Sequence, residues 1–270
     1  MPSFLFWNIN RKPLESLIGR IARRHDVDVI MLVESVSDPA VILQELNSQE
    51  TTYHYAPSIG CEKVVLFARF SSDFLRPILE TNRLTVRHLN LPGVTDILLA
   101  VTHFPSKLHW SDTSQMMECV ELSNSIRVAE SQVGHSRTVL VGDLNMNPFE
   151  GGVVSANGLH GVASRAIAQK KSRIIQSREY PFFYNPMWVL FGDGTRRPPG
   201  TYYYSSSEHC VYFWNLFDQV LLRPDLIHRF EMDALDILKS DGDKSFLTED
   251  GLPDVAMASD HLPLFFRISL

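Results

Sequence analysis

Short apolar runs of strand length recur along this sequence and far outnumber the stretches with helical spacing. A doubly wound parallel sheet needs nearly as many helices as strands, whereas many strands with few helices indicate two sheets packed face to face. The runs assigned as strands are 4–9, 27–33, 63–69, 74–79, 84–89, 96–102, 137–141, 200–204, 217–222 and 264–268. We therefore expect a sheet-on-sheet core with helices outside it.

Three stretches show helical spacing. The first starts at Pro13, a residue favoured at the first helical position, and places apolar residues at 14, 17, 18, 21 and 22. A second helix opens at 38–39 and runs to 46. A third is capped by Ser111 or Asp112. The apolar residues expected on or near one face of this third helix are Met116, Val120, Ile126 and Val133.

The composition is that of a globular protein, and one segment of the chain stands apart from the rest. Among 270 residues, 44% are hydrophobic and 21% charged, which excludes disordered, collagenous and coiled-coil classes. The segment 158–199 is the least regular, and we expect it to be a long excursion from a single domain spanning 1–270. Its basic residues, carried mostly by a helix expected over 165–177, are Arg165, Lys170, Lys171, Arg173 and Arg178. Because the net charge of the protein is −6, its overall electric field would not attract a nucleic acid, but this local basic patch would. The alternative is that the patch is only the solvated face of a helix.

Cysteine usage and hydropathy indicate the compartment. Cys61, Cys119 and Cys210 are widely spaced and form no Cys-x-x-Cys pair, which favours free thiols in a reducing environment over a disulfide scaffold or a zinc site. No apolar stretch reaches the roughly 18 residues of a membrane helix, and the first residues resemble a strand more than a targeting signal. We expect a cytoplasmic protein with no membrane partner; the sequence does not identify any protein partner.

Polar side chains end several of the predicted strands. They are Asn8 and Asn10, Glu34, His103, Asp143 and Asn145, together with Asp260 and His261 just before the last strand. Catalytic groups of layered α/β folds gather at such strand ends. A single carboxylate in this position most often caps a turn or helix. Five such ends in one chain favour a shared catalytic site.

Six blocks of the sequence follow one another in a characteristic order. They are Trp7-Asn8-Ile9-Asn10, Glu34 after an apolar run, Thr102-His103, Gly142-Asp143-Leu144-Asn145, Phe217-Asp218-Gln219 and Ser259-Asp260-His261. This order resembles the endonuclease/exonuclease/phosphatase superfamily, the DNase I-like proteins, and the resemblance spans residues 4–268. It implies an α+β fold, a four-layer α/β/β/α sandwich with two packed mixed sheets, in agreement with the strand-rich pattern.

The resemblance also implies a divalent cation, Mg²⁺ or alternatively Mn²⁺, because phosphoester hydrolysis needs a hard cation to offset charge on the phosphoryl oxygens. Glu34 would be the principal metal ligand, with Asn8 and Asp260 near it. Some relatives carry Asp where this chain has Asn10, so Asn10 lowers the negative charge and leaves a second metal position open. Asn10 is instead a candidate contact for the substrate.

The remaining site residues would handle the phosphate and the protons. By resemblance, Asp143 and Asn145 would contact the scissile phosphate and orient the attacking water or the leaving oxygen. His261 would act as general base or phosphate stabiliser, held by Asp218. As in the DNase I branch, His103 would pair with Glu62 and protonate the leaving oxygen; alternatively, Glu62 is an exposed acid at a strand edge.

The predicted function is that of a metal-dependent phosphodiesterase that hydrolyses nucleic-acid backbone, acting as an endonuclease. One alternative is a phosphatase or phosphodiesterase on a small phosphorylated molecule, which the acidic net charge favours. Another is a partner-binding member of the same fold, which the presence of every catalytic residue type disfavours. The aromatic residues Tyr202–Tyr204, Tyr212, Phe213 and Trp214 either stack bases beside the site or belong to the core.

Overall fold

A computed structural model of the chain describes residues 1–49, 51–108, 110–192 and 198–270. Its strands are β1 (Ser3–Asn8), β2 (Val29–Val33), β3 (His54–Ala56), β4 (Val64–Ala68), β5 (Leu75–Thr81), β6 (Leu84–Leu89), β7 (Ile97–His103), β8 (Thr138–Asp143), β9 (Gly161–Val162), β10 (Ser172–Ile175), β11 (Arg178–Pro181), β12 (Phe183–Tyr184), β13 (Tyr202–Tyr203), β14 (Trp214–Asn215), β15 (Asp218–Leu222), β16 (Asp236–Ile237) and β17 (Leu264–Arg267). Its α-helices are α1 (Glu15–His25), α2 (Pro39–Leu46), α3 (Asp112–Val133), α4 (Gly151–Val154) and α5 (Arg165–Ala168). Short 3₁₀ helices cover Ser72–Phe74, Pro186–Leu190, Pro224–Arg229 and Met232–Ala234.

Most of the described strands belong to two large mixed sheets. The first has the order β16-β17-β1-β2-β4-β3, in which β1 and β2 are parallel and the other neighbours antiparallel. The second has the order β5-β6-β7-β8-β15-β12-β9, with β7 parallel to β8 and β9 parallel to β12. A helix connects the strands of each central parallel pair, α1 between β1 and β2 and α3 between β7 and β8.

The sheets pack face to face, and the burial of β7 on both sides explains why its first five residues, Ile97 to Val101, are all apolar. Ile97, Leu99 and Val101 join the buried cluster that also contains β1 and β2. Leu98 and Ala100 point to the opposite face, into a second cluster with residues of α3. Since side chains alternate across a strand, a strand covered on both faces needs a continuous apolar run. The result is the expected α+β sandwich with helices outside two packed sheets.

Helix α3 buries a different face from the one predicted. Ser111 caps it as expected, its Oγ accepting a hydrogen bond from the Ser114 N–H at 3.2 Å. The buried residues are Gln115, Cys119, Leu122, Ser123, Ile126 and Ala129, of which only Ile126 was predicted. Met116 is 38% exposed. Gln115 explains the difference, because its Nε2 donates to the carbonyls of Pro105 and Asn145 at 3.1 and 3.3 Å and so orients the helix with a polar side chain inward.

The segment 158–199 also differs from expectation. Strands β9 and β12 extend the edge of the seven-stranded sheet, so this segment is partly within the core. The helix expected over 165–177 ends after Ala168, and β10 and β11 form a hairpin instead. Its two-residue loop, Gln176–Ser177, has φ angles of 46° and 64°, which suit a tight hairpin turn. Residues 193–197 of the segment lie outside the described residues.

The cysteines are all free; Cys61 and Cys119 are buried and Cys210 is exposed. The exposure of Cys210 differs from the buried apolar role that a free cysteine most often has. Within the described ranges, no helix is long and apolar enough to cross a bilayer.

An ion-pair network fixes the start of β7, roughly 20 Å along the strand from His103. Asp96 Oδ2 accepts from His88 Nε2 at 2.8 Å and from His135 Nε2 at 3.1 Å, and Arg137 forms an ion pair with Oδ1. His135 Nδ1 accepts a hydrogen bond from the Arg137 backbone N–H at 3.2 Å, which places the ring proton on Nε2. That nitrogen therefore has no lone pair for a metal, and the cluster is a structural network.

Replacing Asp96 with Asn should lower the free energy of unfolding by about 1 kcal/mol at pH 7, a value kept small because the carboxylate is partly exposed. Burial alone would raise the pKa of Asp96, but hydrogen bonds from His88 and Arg137 outweigh it and lower that pKa to about 2. A lowered carboxyl pKa stabilises the fold above the unfolded value of about 3.9, and the contribution disappears as pH falls through about 2. Urea unfolding should show a difference between the two proteins that shrinks below pH 4; a constant difference would contradict the role of this charge.

Candidate active site

The carboxyl ends of the two central parallel strand pairs meet at one end of the sandwich. In the seven-stranded sheet, His103, Asp143 and Asp218 are register partners across β7, β8 and β15. In the six-stranded sheet, Asn8 is the partner of the last residue of β2, so Glu34 follows directly beyond it. Asn8 Nδ2 donates to Asp143 Oδ2 at 3.0 Å and joins the two sheets at this point.

Glu34 is held in place by an unusual backbone. Asn10, Arg11 and Glu34 have φ angles of 46°, 55° and 52°, in the left-handed region that costs free energy for residues other than glycine. The Arg11 N–H donates to the Glu34 carbonyl at 2.9 Å, and the Asn10 N–H donates to Asn8 Oδ1 at 3.0 Å. The first bond fixes the two strand ends to each other, and the second orients the amide of Asn8. The Glu34 side chain is 27% exposed and therefore accessible to a ligand.

Asp143 and Asn145 form a rigid pair at the end of β8. Asp143 is 1% exposed, and its Oδ1 accepts a hydrogen bond from the Asn145 N–H at 2.8 Å. Asn145 takes a left-handed φ of 49°, and its Nδ2 donates to the Phe104 carbonyl at 3.0 Å. Both side chains are thus oriented before any substrate binds.

His261 and Asp218 form a buried pair. Their Nδ1 and Oδ2 atoms lie 2.8 Å apart, and the Tyr202 ring packs on the imidazole with centroids 4.6 Å apart. Trp7 Nε1 donates to the His261 carbonyl at 2.8 Å and fixes the backbone. Burial opposes a charge on the imidazole, but the carboxylates of Asp218 and Asp143 outweigh it and raise the pKa of His261 to about 10. Nδ1 is held by Asp218, which leaves Nε2 to act.

One open cavity of about 660 Å³ brings together most of the residues predicted for catalysis and metal binding. Those that line it are Asn8, Glu34, Asp143, Asn145, Asp260 and His261. Tyr202 lies in the same wall, and burial together with the carboxylates of Asp260 and Asp143 raises its pKa to about 12. The cavity therefore carries an excess of negative charge, which a cation would offset.

The expected pair of His103 with Glu62 is absent from the structure. His103 Nε2 lies 3.4 Å from Glu34 Oε1 and 3.8 Å from Asp143 Oδ2, while its buried Nδ1 has no hydrogen-bond partner in the part of the chain that the structure describes. Glu62 is exposed and lines a neighbouring cavity that includes His103, but the two side chains form no hydrogen bond or ion pair. The backbone turn at Glu34 is the physical reason, because it brings a different carboxylate to the imidazole.

Several predicted substrate contacts line neither of these two cavities: Asn10, Arg165, Lys170, Lys171 and Arg173. Asn10 acts through its backbone N–H, which supports Asn8. Arg165 Nε donates to the Tyr184 hydroxyl at 3.3 Å, and Lys171 forms an ion pair with Asp225 at 2.9 Å. These cations belong to the surface around α5 and the β10–β11 hairpin.

Sequence reasoning missed two residues that shape the cavity wall. Asn147 Nδ2 donates to Asn215 Oδ1 at 2.8 Å, and Asn147 Oδ1 accepts from the Leu216 N–H at 2.9 Å. Asn215 lines the cavity directly. The available signal was the alternation of polar side chains at 143, 145 and 147, which continues the site beyond Asn145.

The aromatic residues divide between core and surface. Tyr202 stacks on Phe217 with centroids 5.3 Å apart, in the cavity wall. Tyr204 and Tyr212 also line the cavity and are 44% and 62% exposed. Phe149 packs edge-on against Tyr212 at 5.2 Å and supports it from behind.

Comparison with known proteins identifies the family and the fold. The profile of the Endonuclease/Exonuclease/phosphatase family matches residues 5–261. No curated protein sequence matches the chain. Similar solved structures include truncated Caenorhabditis elegans TDP2 (15% identity, 100% of this chain and 98% of that chain, TM-score 0.59), the human Nocturnin catalytic domain with bound sulfate (16%, 98% and 93%, 0.57) and an AP endonuclease from Archaeoglobus fulgidus (13%, 100% and 100%, 0.55). At these identities the likeness demonstrates a common fold. Since the family profile covers nearly the whole sequence, this chain belongs to the endonuclease/exonuclease/phosphatase family.

Proposed function

We propose that this protein is a metal-dependent phosphodiesterase that cleaves the backbone of nucleic acids, as an endonuclease. The observation that carries the proposal is the cavity whose wall contains Glu34, Asp143 and His261, with Asp218 bonded to His261 from behind that wall. The cavity is open, so an internal stretch of backbone can enter without a free end. Membership of a phosphoester hydrolase family and a fold shared with an AP endonuclease support the same reaction class.

The donor set fits a hard divalent cation. Glu34 and Asp260 present carboxylates to the cavity, and Asn8 adds an amide oxygen beside them. Oxygen ligands of this kind are preferred by Mg²⁺ and also suit Mn²⁺. We assign Glu34 as the principal ligand, with Asn8 and Asp260 near it. When bound, the cation would offset negative charge on the phosphoryl oxygens.

The protein groups would then position and stabilise the phosphate. Although burial opposes it, the carboxylates of Asp218 and Asp143 raise the pKa of His261, and the protonated Nε2 would donate a hydrogen bond to a phosphoryl oxygen. Asp143 and Asn145 would orient the attacking water or the leaving oxygen from their fixed positions. His103, which lies beside Glu34 and Asp143, would give a proton to the leaving oxygen.

A small phosphorylated substrate is the second candidate. The charge of the active-site cavity favours it, because Glu208 and Asp112 add to the carboxylates already present and would repel a long polyanion. The exposed Tyr204 and Tyr212 favour nucleic acid instead, since aromatic side chains beside a cleavage site can stack unpaired bases.

A panel of substrates separates these candidates. Supercoiled plasmid, linear duplex, single-stranded DNA, RNA and a small phosphodiester would each be incubated with Mg²⁺, Mn²⁺ or EDTA. We expect nicking of plasmid or cleavage inside single strands with a metal and none in EDTA. If no nucleic acid is cut with either metal while the small phosphodiester is hydrolysed, the nuclease assignment is overturned in favour of the second candidate.

The basic surface around α5 and the β10–β11 hairpin, the basic hairpin region, is proposed to bind a part of the nucleic acid that lies outside the active site. Lys170, Arg173 and Arg178 are exposed, and replacing all three with Gln should weaken nucleic-acid binding and flatten the slope of log K against log[salt] by about 2 to 3 units. Fluorescence anisotropy of a labelled oligonucleotide at several salt concentrations measures this slope. The matched control replaces Arg76, Arg127 and Lys244 with Gln and makes the same change in charge elsewhere. Equal slopes for the two triple variants would mean that the hairpin is only a solvated surface.

A further inference from the structure

A second cavity of about 520 Å³ adjoins the active-site cavity, and both have Glu34 and Ser106 in their walls. We call it the basic cavity, after Arg11, Lys63 and Arg83 in its wall. Trp110 and His103 also line it. Apart from His103, the reaction proposed above leaves these residues without a role.

The two cavities differ in the sign of their charge. The carboxylates in the active-site cavity are Glu34, Asp112, Asp143, Glu208 and Asp260. Among its described residues, Lys107 is the only Lys or Arg, and it forms ion pairs with Asp112 and Glu150. The described wall of the basic cavity has three such cations against two carboxylates, those of Glu34 and Glu62. An anionic group is therefore attracted to the basic cavity even before a metal binds.

The cations of the basic cavity are available to a ligand. The Arg11 side chain is 76% exposed, and its nearest charged partner is Glu34 Oε2 at 3.8 Å, longer than a hydrogen bond. Its backbone is held in the left-handed conformation by the bond to the Glu34 carbonyl. Lys63 is exposed in the turn just before β4. Arg83 donates one N–H to the His103 carbonyl at 3.3 Å and keeps other donors of its guanidinium.

Two buried polar atoms in the same wall have no hydrogen-bond partner among the described residues. They are His103 Nδ1 and Ser35 Oγ. Such atoms raise the free energy of the folded protein, and unsatisfied groups of this kind in a native structure mark places where a ligand or water completes the bonding. His103 and Ser35 both belong to the wall of the basic cavity, although the two atoms themselves are not exposed to solvent. A small shift of either side chain would be needed for that atom to form a hydrogen bond with an oxyanion in the cavity.

We propose that the basic cavity is a phosphate subsite, which binds the backbone phosphate next to the scissile one. The inference rests on the proposed nuclease function for the identity of the ligand. The scissile phosphate would lie against Asp143, Asn145 and His261, and the neighbouring phosphate would pass Glu34 and enter the basic cavity. Trp110 can stack on the base attached there. The subsite makes the enzyme prefer substrates with at least two adjacent phosphates.

Three thymidine dinucleotides test the subsite: one without a terminal phosphate, one with a 5′-phosphate and one with a 3′-phosphate. Binding would be measured in EDTA by calorimetry, together with kcat/KM in Mg²⁺. We expect one phosphorylated form to exceed the unphosphorylated dinucleotide by roughly tenfold or more, as charged hydrogen bonds to a phosphate do. In the Arg11→Gln/Lys63→Gln variant this ratio should fall to within about threefold. The Arg76→Gln/Lys244→Gln variant, matched in charge, should keep the full ratio.

The result that overturns the subsite is a ratio near one in the wild type, or a ratio that survives in Arg11→Gln/Lys63→Gln. Inorganic phosphate separates this failure from failure of the nuclease function. Phosphate in the basic cavity should change the tryptophan emission, and Trp110→Phe should remove that change while calorimetry still detects binding. If phosphate gives this Trp110-dependent change in emission although no nucleic acid is cut, the phosphate subsite is supported and the nuclease function is rejected. Nucleic-acid cleavage with no preference for the extra phosphate would instead reject the subsite and retain the nuclease function.

Discussion

Replacing Glu34 with Gln should abolish turnover at ordinary Mg²⁺ concentration while leaving the chain folded. The exchange removes one negative charge and keeps the size of the side chain, at a residue whose left-handed backbone is fixed by its neighbours. Because this carboxylate is the principal metal ligand of the proposed site, we expect both metal affinity and rate to fall by a factor on the order of 10² or more. Calorimetric titration with Mn²⁺ measures the loss of metal binding independently of activity.

The matched control is Glu121→Gln, the same exchange on the exposed surface of α3. It should retain the activity and the metal affinity of the wild type, and thermal unfolding of both variants should show that neither has lost its fold. Full activity of the wild type in EDTA would contradict the metal requirement. An unchanged Mn²⁺ affinity in Glu34→Gln would assign the ligand to another residue of the cavity.

The strands were predictable where burial on two faces makes the sequence continuously apolar. The run 84–89 coincides with Leu84–Leu89, and the second helix was expected to end where it does, at Leu46. The order of polar residues at strand ends was informative for the same reason. A strand buried up to its last residue leaves only its end free for a polar side chain, so Glu34 and Asp143 stand out in the sequence.

Contacts between those strand ends were less predictable. His103 meets Glu34 and not Glu62 because a left-handed turn at Glu34 directs its side chain, and no residue type in the sequence signals that turn. Asn147 and Asn215 are likewise joined across 68 positions by packing of the chain alone. Spacing in the sequence carries no information about such pairs.

The basic hairpin shows how propensity can mislead. Lysine and arginine favour helices, and a run of them at 165–178 therefore suggests one. Ile174 and Ile175 favour a strand, and the turn at Gln176–Ser177 forms although neither residue is the glycine or asparagine that usually signals it. Tertiary context thus decides between two structures of similar local preference.

His261→Ala and Asp218→Asn should each lower kcat by a factor on the order of 10² or more. The double variant should be little slower than the worse single variant. Asp218 is fully buried and reaches the substrate only through the imidazole, to which it is bonded at 2.8 Å. In a chain that lacks His261, Asp218 has no contact through which it could act on the reaction. Adding Asp218→Asn to His261→Ala should therefore lower the rate little further.

A control for this pair is available in the same cavity. Tyr202 packs on His261 without a hydrogen bond to it, so Tyr202→Phe keeps the ring contact and should leave the coupling between His261 and Asp218 intact. Single-turnover rates of the four members of the cycle, with thermal unfolding of each, give the coupling directly. Additive losses would mean that Asp218 acts on the fold or on another group. If the variants are folded and the losses are strongly non-additive, the role of Asp218 is to orient and charge His261, the group that faces the phosphate.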